Sequence, residues 1–395
     1  MLVATPILLV VLRSFSLRRP TRLGPSAFAE GFVNTIKDVA HHAGVSVSTV
    51  SNVLNGRTGR MRKETLARVE KAIGQLKFRP NAVARRLKTG QAPLLGLLVP
   101  SLANPMYGAI AREIETFAQE QYGHRVLIGS TYRDKEKEAT FFEDLLAHGV
   151  SRVIVISSLA DERHFETVVE RGMTVVSYDR GAAKGRTSKV VHVTPDNFEA
   201  ARLATEHLIA HGHKRLAFAT VAGMTMSRSA KIQGFQAAAS RNGLQKTAVI
   251  LNGGLLDEYG DSIMSEVGRA LALRLSAEPA RPTGIVAVND LMALGLMAGL
   301  REAGLRVPQD VSIVGIDGLF LAALSNPGLS TVQLPVADMA RAMVECAIEP
   351  KIEDQARSRA RIFVPTLLVE RESVARPPAP AAKKTTRVGA RKARA

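Results

Sequence analysis

From residue 91 to residue 375, short apolar runs alternate with longer stretches of helical periodicity. Residues 94–99, 125–128, 152–156 and 174–177 read as strands buried on both faces, and 106–121, 136–148 and 161–171 as helices between them. A second set follows, with strands at 216–220, 247–251, 284–288 and 312–315 and helices near 197–211, 229–242, 259–275 and 290–303. Strand–helix alternation of this kind builds parallel sheets covered by helices. Two similar halves with a crevice between them suggest a ligand binder that closes about a hinge.

Charge divides the chain differently. The net charge is +17, yet residues 91–375 are almost neutral. Residues 34–90 hold twelve basic and three acidic side chains, and residues 376–395 hold seven basic and none acidic. A basic head and tail on a neutral body predict separate polyanion-binding and globular modules.

The head reads as helices. Thr35 can cap a helix through Ile36, Val39 and Ala40, with Asp38 in its first turn and Gly44 ending it. Ser46 can cap a second helix, 47–55, stopped at Asn55-Gly56. Two short helices joined by a tight turn form a helix-turn-helix. Val50, Val53 and Leu54 share an inward face, while Val47, Ser48, Ser51 and Asn52 lie opposite, small and polar as a major-groove reader requires. A third helix, about 62–76, would bury Leu66, Val69, Ile73 and Leu76.

After Pro80, Asn81 can cap a helix of barely two turns, marginal by itself and expected to form on DNA beside a partner copy. Leu87 sits there among Arg85, Arg86 and Lys88. An apolar residue flanked by cations suits a wedge in the minor groove.

The segments TIKDVAHHAGVSVSTVSNVLNG, RPNAVARRLKTG, LLGLLVPSLANPMYGAIAREIE and PTLLVERESV resemble the lactose-repressor (LacI/GalR) family of bacterial transcription regulators, over about residues 34–375. The resemblance implies an α/β chain: a three-helix helix-turn-helix head and a two-lobed, doubly wound body like a type I periplasmic binding protein. It implies a DNA-binding domain at 34–78, a hinge at 79–90 and a body at 91–375, while residues 1–33 read as an unstructured extension and the Pro- and charge-rich residues 376–395 as a basic tail. The chain would cross between lobes near 193, 326 and 350. Lobe 1 would hold 91–192 and 327–349, and lobe 2 would hold 193–326 and 350–375. Val47, Ser48 and Asn52 would read bases and Leu87 would be the hinge leucine. Thr35, Thr49, Ser51, Asn55, Ala84, Arg85 and Lys88 would complete the DNA contacts. Asn52 stands where many members carry a guanine-reading Arg, and Asn favours adenine edges. Arg62 replaces the usual capping Ser or Thr of the third helix.

In the body, polar residues fall at the carboxyl ends of expected strands, where open sheets bind ligands. They are Asn104, Tyr107, Asp179-Arg180, Ser227, Asn289-Asp290 and Asp317, with Lys231 on the following helix. By the resemblance, Asp290 and Asp317 would accept hydroxyl protons from a polyol, and Lys231 occupies the place of a ligand-anchoring Arg. Leu255 and Met106 stand where aromatics are frequent, so ring stacking should be weak. The expected effector is a small, hydroxyl-rich metabolite, a sugar or sugar acid.

No catalytic set emerges. The chain has no Walker loop, no GxGxxG after a strand and no GxSxG. Its single cysteine, Cys346, and its nine histidines offer no metal spacing. His42 is expected at a helix end, and His211 and His213 at a surface turn. The apolar run at 2–12 is too short to span a bilayer, and its charges follow rather than precede it. A solute receptor, a sugar-modifying enzyme and a DNA-coating protein share parts of this pattern. The reading that unites head and body is a cytoplasmic, homodimeric repressor without cofactor, binding a double-stranded, imperfectly palindromic operator under control of a small effector.

Overall fold

The computed structural model describes residues 35–54, 57–59, 61–76, 93–132, 134–156, 163–178, 190–222, 225–254, 262–350, 361–364 and 367–379. The expected extension at 1–33, Asn55, the hinge with Ala84, Arg85, Leu87 and Lys88, Asp179-Arg180, Leu255 and the tail beyond 379 lie outside the described residues. The chain forms two compact units, Met1–Arg85 and Arg86–Ala395.

The head holds α1 (Ile36–Ala43), α2 (Val47–Leu54) and α3 (Lys63–Gln75). Its boundaries are set by local chemistry. The Thr35 hydroxyl accepts from the Asp38 amide, and the Asp38 carboxylate accepts from the Thr35 amide at 2.7 Å, a reciprocal capping box. Gly44, at φ 63°, takes the left-handed conformation that lets α1 stop and the chain turn into α2. Ser46 Oγ accepts from the Thr49 amide at 3.2 Å, capping α2. Arg62 precedes α3 without a side-chain cap bond, as its chemistry dictates. Val39, Ala40, Ala43, Val50, Val69 and Ala72 form a buried core, flanked by Ile73 and Leu76. Leu66, expected inside, is only half-buried. His42 Nε2 and Gln75 Oε1, 2.9 Å apart, join the ends of α1 and α3.

The body contains two six-stranded sheets. The first comprises β1 (Leu94–Val99), β2 (Arg125–Ser130), β3 (Arg152–Ile156), β4 (Thr174–Tyr178), β5 (Val191–Pro195) and β11 (Arg361–Phe363), ordered β11-β5-β4-β3-β1-β2. The second comprises β6 (Leu216–Thr220), β7 (Ala248–Asn252), β8 (Gly284–Ala287), β9 (Ser312–Asp317), β10 (Ser330–Gln333) and β12 (Leu367–Val369), ordered β12-β10-β9-β8-β6-β7. The two orders correspond position for position. All pairs are parallel except β10 with β12. Helices α4 (Pro105–Tyr122), α5 (Lys135–Ala147) and α6 (Arg163–Glu170) connect strands of the first sheet. Helices α7 (Asn197–Ala210), α8 (Met226–Arg241), α9 (Ser262–Ser276), α10 (Asp290–Glu302) and the short α11 (Phe320–Leu324) belong to the second. Helix α12 (Val336–Ile348) returns to pack on α4 and on β3, β4 and β5.

Several expectations need correction. The first crossing follows β5, close to the expected 193, but the second follows β10 and the third lies between β11 and β12, not near 326 and 350. Residues 330–333 therefore belong to the second lobe and 361–363 to the first. Strand β2 was expected to be buried on both faces, yet Leu127 and Ile128 are exposed. It is a sheet edge, as is β7, whose Val249 and Ile250 are also exposed. His213 is not at the surface. Its Nε2 lies 2.9 Å from the Ala375 carbonyl and its Nδ1 lies 3.0 Å from Thr283 Oγ1. The carbonyl can only accept, so Nε2 carries the proton. The described chain continues past 375, with Pro377 half-buried beside Gly212. The same C-terminal segment is held by Ser373, whose Oγ donates to the Ile313 carbonyl at 2.6 Å and accepts from the Ser330 amide at 2.8 Å. Among the described residues, no helix is long and apolar enough to cross a membrane.

Candidate functional site: a groove-reading helix and an interlobe cleft

Packing of the head leaves one face of α2 outward. Val50 is buried and Val53 and Leu54 lean on the core, so the 3.6-residue period turns the opposite positions to solvent. Val47 is 42% exposed, Ser48 and Asn52 are exposed and Ser51 is half-buried. Thr49 differs from its neighbours. It is half-buried, and its hydroxyl lies 2.8 Å from Ser46 Oγ within the cap. Ser48 Oγ also meets Ser46 Oγ, at 2.7 Å. The Thr35 hydroxyl donates to Asp38 Oδ2 at 2.7 Å while remaining on the surface. Together the Thr35 hydroxyl and amide hold the Asp38 carboxyl below its ordinary range.

In the body, a cavity of about 90 Å³ lies where the carboxyl ends of the two sheets face each other. Lobe 1 contributes Asn104, Met106, Tyr107, Tyr178 and Pro195. Lobe 2 contributes Ser227, Lys231, Asn289 and Asp317, joined by Arg228 and Asn197. Six of the expected effector residues thus line one cavity. Two of them also cap helices: Asn104 Oδ1 accepts from the Met106 amide at 3.0 Å, and Asn289 Oδ1 accepts from the Met292 amide at 2.9 Å. Ser227 Oγ lies 3.1 Å from Thr225 Oγ1, which caps α8. Lys231 is only 8% exposed, and its ammonium donates to the Val288 carbonyl at 3.0 Å.

Asp290 does not line the cavity. Its side chain is fully buried, Oδ1 accepts from the Thr331 hydroxyl at 2.6 Å, and Oδ2 accepts from the Leu319 amide at 2.8 Å. Burial pushes its carboxyl up to about 6, against the opposing pull of those bonds. Its role is positioning, because it ties down the turn that follows β9. Asp317, at the end of that strand, has φ 143°, a conformation that strains a side-chain-bearing residue. Gly318 follows at φ 77°, and a Cβ there would stand 2.8 Å from Gln333 Cα. The strained turn fixes Asp317 at the mouth of β9.

Arg228 and Tyr178 were missed from sequence. Arg228 is buried, with Nη1 donating to the Ala222 carbonyl at 3.2 Å. A usable signal was its spacing, because i and i+3 share one face of a helix and Lys231 was already singled out. Among the described residues no cluster suits a metal ion.

Known families match both units. Residues 35–81 fit the model of bacterial regulatory proteins of the lacI family, and residues 205–374 fit a periplasmic binding protein-like domain. The HTH-type transcriptional regulator GalS of Salmonella typhimurium is 32% identical over 343 residues, 86% of this chain and 96% of that protein. The chain belongs to the lacI family of bacterial regulatory proteins. This lacI-family regulator is also 32% identical to the transcriptional repressor PurR of Aliivibrio fischeri, over 86% of this chain and 98% of that one. A crystal structure of the lac repressor dimer bound to operator and an anti-inducer superposes with a TM-score of 0.72 at 26% identity, covering 87% of this chain and 99% of that one. A DNA-binding head joined to a two-lobed sensor is thus the shared architecture, and the chain is a DNA-binding transcriptional regulator.

Proposed function

We propose that this regulator is an operator-binding repressor, acting as a homodimer, whose hold on DNA is set by a sugar or sugar acid in the interlobe cleft. The observation that carries this reading is the cleft wall. Asn104 and Tyr107 from one lobe face Ser227, Lys231, Asn289 and Asp317 from the other, so a ligand touching both sets changes how the lobes meet. The solved relative on operator, itself a dimer, supports the pairing of two heads on two half-sites. So do the exposed apolar edges of β2 and β7, with Phe320 67% and Leu324 74% exposed on α11.

In this reading Val47, Ser48 and Asn52 contact base edges, and Asn52 supplies an amide suited to adenine. Reversing occupancy from mostly bound to mostly free requires a ligand preference of about 5.5 kcal/mol between the two states. The test is titration of purified protein onto its own upstream palindrome, with and without each of a panel of sugars and sugar acids. A panel member that changes operator affinity supports the reading. Operator affinity unchanged by a ligand that demonstrably fills the cleft would end it.

A further inference from the structure

The chain enters and leaves the body at opposite ends. Coming from the head, it reaches Pro93 just before the amino end of β1. Its exit is set by β12, the antiparallel strand of the second sheet. The other strands of that sheet run toward the cleft, so a last parallel strand would release the chain there. β12 runs the other way and delivers residues 370–379 to the amino ends of its neighbours. Ala375 is held there by three bonds. Its carbonyl accepts from His213 Nε2 at 2.9 Å and from Ser312 Oγ at 3.2 Å, and its amide donates to Ser312 Oγ at 3.1 Å. Pro377 follows beside Gly212. Six residues of β1 and six of β9, laid carboxyl end to carboxyl end, put ~40 Å between the entry pole and the exit pole.

The exit pole is basic. Its loops, 211–215, 242–247, 277–283 and 303–311, precede β6, β7, β8 and β9, and with 370–379 they hold seven basic and four acidic residues. The body as a whole is almost neutral, so the excess is local. Hydrogen bonds join these loops into one surface. Arg215 Nε donates to the Arg281 carbonyl at 3.1 Å, the Thr247 hydroxyl donates to the Lys214 carbonyl, and the Thr283 amide donates to the Arg215 carbonyl at 3.0 Å. Two of the acids are engaged: Asp310 accepts from the Arg306 amide at 2.8 Å and its Nε at 3.2 Å, and Glu370 lies 3.5 Å from His207. Lys214, Arg215, Lys246 and Arg376 are exposed, and no described acid is ion-paired with them. Past Ala379 the sequence adds Lys383, Lys384, Arg387, Arg391, Lys392 and Arg394, and no acid. A polypeptide spans at most about 3.6 Å per residue, so Lys383 and Lys384 stay within ~18 Å of Ala379. That is less than half of the way to the pole at which the head is tethered.

We propose that the exit pole and the basic residues beyond it form a second DNA surface, which holds a duplex segment other than the operator gripped by the head. Phosphates are its ligand, because exposed Lys and Arg side chains attract a polyanion whatever its base sequence. Duplex DNA is the polyanion that fits, because the head already brings the regulator onto it and neighbouring segments of the same molecule are then present at high effective concentration. The regulator joins two DNA segments, one by sequence and one by charge. This surface is independent of the cleft and of the effector.

The test uses the full chain loaded on beads that carry a duplex no longer than the operator, with a fluorescent duplex of unrelated sequence in solution. The loaded beads should capture the second duplex, with an affinity that falls about 10³-fold or more between 50 and 200 mM salt, as six or more phosphate contacts require. Removing residues 380–395 should lower that affinity at least about tenfold at 100 mM salt, and Lys214→Glu combined with Lys246→Glu should lower it about tenfold in the otherwise intact chain. Both sets of residues are exposed or lie beyond the segment anchored at Ala375, so each variant should melt at the parent temperature and keep the parent affinity for the short operator.

Capture that survives both changes overturns the proposal, because the heads then hold both segments. Failure of the parent chain to capture a second duplex at 50 mM salt overturns it as well. So does a loss of affinity for the short operator when 380–395 are removed, which would put these residues on the duplex already held by the head. A single-stranded RNA or an acidic polypeptide of equal charge that binds the loaded beads more tightly than the duplex would name a different class of partner and also end it.

Discussion

The head and the cleft are built from opposite kinds of information. In the head, the residues offered to DNA come from one face of the short helix α2, and each cap or turn that aims them lies within three or four residues. In the cleft, the wall runs from Asn104 to Leu334 in sequence, and no local rule places one part beside another. The head is therefore a local device with a small core, and the cleft is a product of topology. The first should break by loss of packing, the second by loss of backbone geometry.

The largest expected effect separates the two. Val50 is fully buried in a core of six residues, so Val50→Asp puts an unpaired charge where no partner exists. We expect the head to unfold and operator binding to vanish, with the melting of the body and its ligand affinity unchanged. Circular dichroism, calorimetry and DNA titration on one sample check this. A simultaneous loss of ligand binding would show that the units are not independent.

Next comes the cleft. Gly318→Val adds a β-branched side chain at φ 77° with a Cβ 2.8 Å from Gln333 Cα, so the turn carrying Asp317 has to move. A destabilisation of ~2–3 kcal/mol with lost effector affinity and an intact head is the expected result, read by thermal melts and calorimetry. Retained affinity would show that the strained turn does not position Asp317.

Asn52→Ala should then remove ~1–3 kcal/mol of discrimination at a single base pair, without changing the affinity for unrelated DNA. Selection from a randomised half-site reads this directly. An unaltered preference at every position would remove Asn52 from the base-reading set.

The smallest effect is a pH dependence confined to the body. Desolvation holds His207 and His213 below the ordinary histidine value of 6.5. As pH falls through the window beneath 6.5, the unfolded chain takes up protons that the folded chain refuses. The stability these histidines confer is present above that window and lost below it. Asp290 acts in the opposite sense. Its folded carboxyl, near 6, protonates before the unfolded one, near 3.8, so the folded state gains as the pH falls between them. Replacing both histidines with Gln should flatten the acid loss, measured by urea melts at several pH values. An unchanged acid limb would assign it elsewhere.

Legibility in sequence follows the same division. Thr35, Gly44 and Ser46 could be assigned because a cap acts on backbone amides or carbonyls three or four positions away. Eight strands and seven helices of the body were readable from periodicity. The crossings were not, because β10, β11 and β12 have only three or four residues and carry no period of their own. Whether such a strand joins one sheet or the other depends on where the previous helix ends. In the cleft, Asn104, Tyr107, Ser227, Lys231, Asn289 and Asp317 were legible as polar residues at strand ends. Asp290 obeyed the same rule and turned inward instead. The reason is Gly315, where any Cβ would stand 2.1 Å from Asp290 Oδ1: a missing side chain on β9 makes room for the carboxylate. His213 was misjudged because the carbonyl that satisfies it, Ala375, lies 162 residues away.

The most direct test is operator affinity measured by fluorescence anisotropy on the full chain, with the cleft empty and with it saturated by a ligand whose binding calorimetry has established. The account predicts at least a tenfold difference between the two. Equal affinities with the cleft demonstrably full would contradict it.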